Sequence, residues 1–204
     1  MRSEYLRTSL AAHADWQGLL SAHGETVSDW ASKVNRHPTF APLIADVRME
    51  AERLLKSSLP SLPWSKYRLY SQEGSRLPYE ELYFDRRRRL TAYGMMTLLK
   101  PEDSRYLEQL HEVIWAVCEE YSWCLPAHLP GGRSSRMTYS TRHDQWMHHH
   151  SGTWVDLFAS ETAFALAEIL HLIGDKLPEV LQERIRFEVY RRVLYPFMNE
   201  GPFG

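Results

Sequence analysis

The sequence predicts an all-α protein built of antiparallel helical hairpins, and three observations lead there. Apolar residues recur at three- and four-residue spacing through most of the 204-residue chain. No stretch sustains the alternation of apolar and polar residues that marks a half-buried strand. Prolines and glycines fall mainly between the periodic segments, so successive helices are joined by short links, and short links favour antiparallel neighbours.

Taken in order, residues 3–22 carry Leu6, Leu10 and Leu19, with Gly24 as a stop. Ser28 to Arg36 is a shorter helix with Trp30 and Val34 on one side, ended before Pro38. Pro42 opens a helix bearing Leu43, Ile44, Val47, Leu54 and Leu55. Pro60 and Pro63 break the chain, and a loop with Gly74 follows. Pro78 starts a helix that runs to Leu99, before Pro101. Asp103 or Ser104 caps the next, where Leu107, Leu110, Ile114, Val117 and Tyr121 are expected on one face. Asp156 or Ser160 opens a helix with Phe158, Thr162, Leu166, Ile169 and Ile173, ended by Gly174-Asp175. Pro178 opens the last, with Leu181, Ile185, Val189 and Val193, and Pro196 is expected to break it. Residues 79–99 with 104–123, and 156–173 with 178–195, read as two hairpins.

Composition narrows the function classes. With 44% hydrophobic and 25% charged residues, the chain is not disordered, collagen-like or a disulfide scaffold. Its length suits a single helical domain over 1–204. Lys and Arg number 24 against 26 Asp and Glu, a net charge of −2 that argues against a nucleic-acid partner. No uncharged stretch reaches membrane-spanning length, so no membrane partner is expected. The charged N-terminus lacks the apolar core of a signal peptide, and Cys118 and Cys124 are the only cysteines; a reduced, cytoplasmic chain is the expectation. Of the basic residues 19 are Arg, which grips carboxylate and sulfate in a fork.

The segment 124–153 reads as a long loop. It holds Pro126, Pro130, Gly131, Gly132, Gly152 and five of the ten histidines, and links of that length are usually functional or disordered. Within it, His143, Asp144, His148, His149 and His150 are metal-ligand types, but adjacent loop histidines do not converge by themselves; no metal and no cofactor is expected. Arg86 to Arg89 cannot form one patch on a helix, because successive residues turn by about 100°. Asp85 can pair with Arg88 and Arg89, and an inward Arg needs a carboxylate or an anionic ligand. Trp123 lies by a loop mouth, where it could stack on a sugar ring; the plainer reading is that it closes the helix core. His128 can move a proton near neutral pH, or simply sit at the surface. Asp156 serves as an N-cap, and Glu161 lies in the first two turns of the helix it caps, where a carboxylate suits the helix dipole.

Three segments together resemble heparinase II/III-like polysaccharide lyases: Tyr79-Glu80-Glu81-Leu82-Tyr83-Phe84-Asp85-Arg86-Arg87-Arg88-Arg89-Leu90, then Glu119 to Leu129, which contains Trp123-Cys124-Leu125-Pro126-Ala127-His128, then Val155 to Ala163. The resemblance is specific from about residue 75 to 197. It implies the N-terminal portion of an incomplete (α/α) toroid, followed in the family by a β-sandwich region. It implies β-elimination on a uronate-containing, anionic polysaccharide or oligosaccharide. That reaction needs a group to neutralise the uronate carboxylate, a base, and an acid for the leaving oxygen. In the family an Asn in an Asn-rich motif further along does the neutralising. Asn35 and Asn199 are the only asparagines here and neither lies in such a motif, so no catalytic residue carries over. Trp123, His128, Asp156 and Glu161 carry over as lining of the glycan cleft. The expectation is a front portion of a longer protein; a non-catalytic glycan-binding module and an unrelated helical interaction protein are the alternatives. A toroid missing its later hairpins should expose Leu181, Ile185, Val189 and Val193, to be covered by a second copy or by downstream domains.

Overall fold

The computed structural model describes residues 8, 25–129 and 154–199, and among these there is no strand. The expected helix over 3–22 and the loop residues 130–153, including the His143–His150 cluster, lie outside the described residues, residue 8 excepted. The helices are α1 (Val27–Arg36), α2 (Ala41–Leu55), α3 (Trp64–Tyr67), α4 (Leu69–Glu73), α5 (Leu77–Leu99), α6 (Ser104–Cys118), α7 (Leu157–Ile173), α8 (Glu179–Val189) and α9 (Tyr195–Asn199). Short 3-10 turns cover Pro38–Phe40, Pro126–His128 and Gly174–Lys176.

The helix boundaries have local causes. Thr26, Asp103 and Asp156 each accept a backbone N–H from the first turn of α1, α6 and α7, which satisfies a donor that has no partner within the helix. Gly74 ends α4 in the left-handed conformation (φ 74°), where a side chain would strain the backbone. Prolines sit in the first turn of α2 and α5, where the missing N–H costs nothing.

Helix α5 is the axis of the packing. It lies against α6, α2, α7 and α1, and buries Tyr79, Tyr83, Leu90, Tyr93, Met96 and Leu99. The pairs α5–α6 and α7–α8 pack as the two expected hairpins. Gly94 permits the close approach of α5 to α7, since a Cβ there would come 3.3 Å from Ile169 Cγ1. The main core joins α2, α5, α6, α7 and α8 through Leu54, Tyr93, Leu110, Ile114, Leu166 and Ile185. Leu157–Lys176 is long and apolar enough by composition to cross a membrane, although it contains Glu161, Glu168 and Asp175; here Ala159, Ala163, Leu166, Ile169 and Ile173 are buried in the protein core.

Three expectations are corrected. Tyr121 does not continue the α6 face, because the helix ends at Cys118 and leaves Tyr121 largely exposed. Pro196 does not break the last helix: Tyr190–Leu194 forms a π-turn, and the chain goes on helically as α9. The wider turn bonds Tyr195 N–H to Tyr190 O just ahead of the residue that has no N–H to give. Third, the α8 face expected to be open is closed. Leu181, Ile185 and Val193 are buried and Val189 partly so, because α8 packs on both α6 and α7, and the open face expected of a toroid missing its later hairpins is not there. The apolar side chains left outside are instead Val180, Phe187, Tyr190, Leu194 and Phe197.

Candidate functional site

The site begins with the cap of α7. Asp156 Oδ1 accepts the Ala159 N–H at 2.7 Å, as an N-cap should. Its Oδ2 faces the other way and lies 2.7 Å from His128 Nδ1 and 3.4 Å from the Leu125 N–H. A carboxylate can only accept, so Nδ1 donates, and Nε2 is the ring nitrogen left to take a proton or meet a ligand. His128 sits on the turn Pro126–His128, closed by its own N–H to Leu125 O at 2.9 Å. Its ring stacks on Phe158, centroids 5.5 Å apart and planes within 19°. The side chain is 33% exposed, with its Nδ1 tied to Asp156.

Beneath this pair lies a buried polar network. Arg87 grips Glu120 with two prongs, Nη1 to Oε1 at 2.5 Å and Nη2 to Oε2 at 2.7 Å, and its Nε donates to Thr162 Oγ1 at 3.2 Å. The guanidinium lies over the Tyr83 ring, 3.7 Å from its centroid. Tyr83 Oη donates to Trp123 O at 2.7 Å. Arg86 adds a bond to Glu120 and also ties Pro60 O and Ala116 O. Arg89, buried, pairs with Asp85 and binds Leu54 O and Ser57. Arg88 stays outside, 3.9 Å from Asp85. Protein carboxylates and carbonyls thus take up the arginine run, and Asp85 pairs as the spacing suggested. Burial pushes the Tyr83 and Tyr67 hydroxyls up to about 12, Tyr83 against the lowering pull of Arg87, so both stay protonated at neutral pH.

Of the four residues expected to line a cleft, the structure brings His128 and Asp156 together. Trp123 is only 1% exposed: its Nε1 donates to Val117 O at 2.9 Å and Arg192 lies over its ring. Its indole closes the end of α6 and offers no face to a sugar, which corrects the stacking role. Glu161 is exposed, one helical turn beyond the Asp156 cap. Among the described residues no three His, Cys, Asp or Glu side chains gather as metal ligands.

Spacing along the chain did not reveal the aromatic string beside the site. Trp64 stacks on Tyr67, Tyr67 meets Tyr79 and Tyr121 edge-on, Tyr79 meets Tyr83, and Phe84 and Phe158 complete the path to His128. These rings come from α3, α5, α7 and the loops after α6, so no local pattern signals the contact. The chain matches no protein-family model and none of the curated proteins.

Proposed function

We propose that this chain is the N-terminal toroid portion of a polysaccharide lyase that cleaves uronate-containing, anionic glycans by β-elimination, and that the surface at His128 and Asp156 lines its glycan cleft. One observation carries the reading. The three segments that resemble heparinase II/III-like lyases meet at one place: Arg87 of the first holds Glu120 of the second and Thr162 of the third, and His128 of the second holds Asp156 of the third. Packing accounts for the buried members. It does not account for His128, whose ring is oriented by a carboxylate and an aromatic face yet stays open to solvent. A histidine so held can hydrogen-bond a sugar hydroxyl or carboxylate through Nε2.

The elimination itself falls to residues beyond those that carry over, since neither Asn35 nor Asn199 stands in an Asn-rich motif. The role of this chain is to bind and place the glycan.

The test is the product encoded by the whole gene, assayed on alginate, hyaluronan and heparan sulfate for the ultraviolet absorbance of an unsaturated uronate. Absorbance that rises with time, and falls with His128→Ala, supports the lyase reading. No product on any uronate polymer, with the 204-residue chain still retained on an anionic glycan column, favours the binding module. Failure of both removes glycans from consideration.

A further inference from the structure

Trp64 has the most exposed large apolar side chain among the described residues, at 70%, so packing does not explain it. Its backbone is nevertheless held in place. Pro63 precedes it with extended backbone, and the Arg68 N–H closes the turn on Trp64 O at 3.0 Å. Arg86 Nε donates to Pro60 O at 2.8 Å, which pins the incoming strand of chain to α5. One face of the indole rests on Tyr67, with centroids 5.8 Å apart and an interplanar angle of 23°. Tyr67 in turn is propped edge-on by the buried Tyr79 and by the largely exposed Tyr121. The result is an exposed indole face backed by a second ring, which is itself braced by two others.

We propose that Trp64, with Tyr67 behind it and Tyr121 alongside, is a saccharide-stacking subsite that receives a pyranose ring of the same glycan that His128 contacts. The inference rests on the reading of a glycan cleft and extends it to a second position. A pyranose presents a face of C–H groups that suits the electron-rich face of an indole, and its hydroxyls stay in water at the rim. Two features favour this ligand. The ring string Trp64–Tyr67–Tyr79–Tyr83–Phe84–Phe158–His128 joins the platform to the histidine ring by ring through the buried Tyr79 and Tyr83. The exposed cations Lys66 and Arg68 flank Tyr67 in the chain, which favours a polymer carrying carboxylates or sulfates.

The experiment titrates the 204-residue protein with an alginate hexasaccharide, a heparan sulfate hexasaccharide and neutral cellohexaose. It reads tryptophan fluorescence and, independently, calorimetry. Because Trp64 is exposed, Trp64→Ala and Trp64→Phe should melt as the wild type does. The expected result is a loss of roughly tenfold in affinity for an anionic hexasaccharide in Trp64→Ala, with most of it restored in Trp64→Phe. Ligand-induced quenching should also disappear in Trp64→Phe. Unchanged affinity in Trp64→Ala alongside a loss in His128→Ala overturns the platform and leaves the cleft. Trp64-dependent binding of cellohexaose alone keeps the platform and overturns the uronate reading. Binding of none of the three overturns both.

Discussion

Arg87 and Glu120 stand 33 residues apart in the chain and meet in a two-pronged, largely enclosed ion pair, over the ring of Tyr83 and against Thr162. Glu120 also takes Arg86, so one carboxylate with a 1% exposed side chain serves two guanidinium groups. A pair of this kind adds little over a well-packed apolar pair, but removing one member strands the other in a dry interior. Glu120→Ala is therefore expected to cost roughly 3–5 kcal/mol. That corresponds to a fall in melting temperature on the order of 10 °C for a domain of this size. Circular-dichroism melts check it. The double variant Arg87→Met with Glu120→Leu should recover part of the loss, and a double variant no better than Glu120→Ala would show that the pair does more than satisfy its own charges.

The helices themselves are readable from spacing, proline and caps. Pro78, Asp103 and Asp156 mark starts that the structure places within a residue or so, because each acts through its own neighbours in sequence. What each side chain does once folded is not readable that way. Trp123 and Trp64 are both tryptophans near helix ends, yet one is enclosed by α6 and Arg192 and the other lies in solvent. The difference comes from contacts across more than 30 residues, which no local pattern encodes. Which face of the last helix is open is unreadable for the same reason. Two apolar stripes run along α8, and only the packing against α6 and α7 decides which of them is buried.

His128 and Asp156 allow folding and binding to be separated. Asn caps a helix about as well as Asp, but its amide carries no charge for an imidazole to lean on. Asp156→Asn should therefore melt near the wild type, whereas Asp156→Ala should lose about 1–2 kcal/mol with the cap. Both should weaken retention on an anionic glycan column. Wild-type retention in Asp156→Asn, measured beside His128→Ala, would show that the carboxylate serves the helix alone.

Both thiols should be silent in the native state. Cys118 and Cys124 are buried, and burial pushes each thiol up to about 12, so almost no thiolate exists at neutral pH. Cys124 further donates to Trp154 O at 3.1 Å. With Ellman's reagent at neutral pH the expected count is near zero titratable thiols in buffer and two in guanidinium chloride. Rapid native labelling at either position would mean that the core around Trp123 opens far more readily than its packing suggests.

Acid should release the last hairpin through Glu188. The carboxylate is buried and accepts from Arg192 Nε and from Arg191 Nη2, while Arg184 lies 3.4 Å away. Arg192 also binds Cys118 O and Glu120 O, and so anchors α8 to the carbonyl end of α6, where a cation suits the helix dipole. Burial alone would raise the Glu188 carboxyl. The hydrogen bonds and charge of Arg192, then of Arg191, outweigh it and hold the group below its ordinary 4.5. A group lowered in the folded state binds fewer protons there than in the unfolded chain. Its stabilisation is thus complete above about pH 4.5 and is lost as pH falls through the lower folded value. Glu188→Gln should cost about 2–3 kcal/mol at neutral pH, the scale of hydrogen bonds to a charged group. Below pH 4.5 the wild type should lose stability more steeply than the variant, so that the two urea-unfolding curves converge. Parallel acid limbs would show that Glu188 titrates alike in the folded and unfolded chains, and that the arginines hold the hairpin without it.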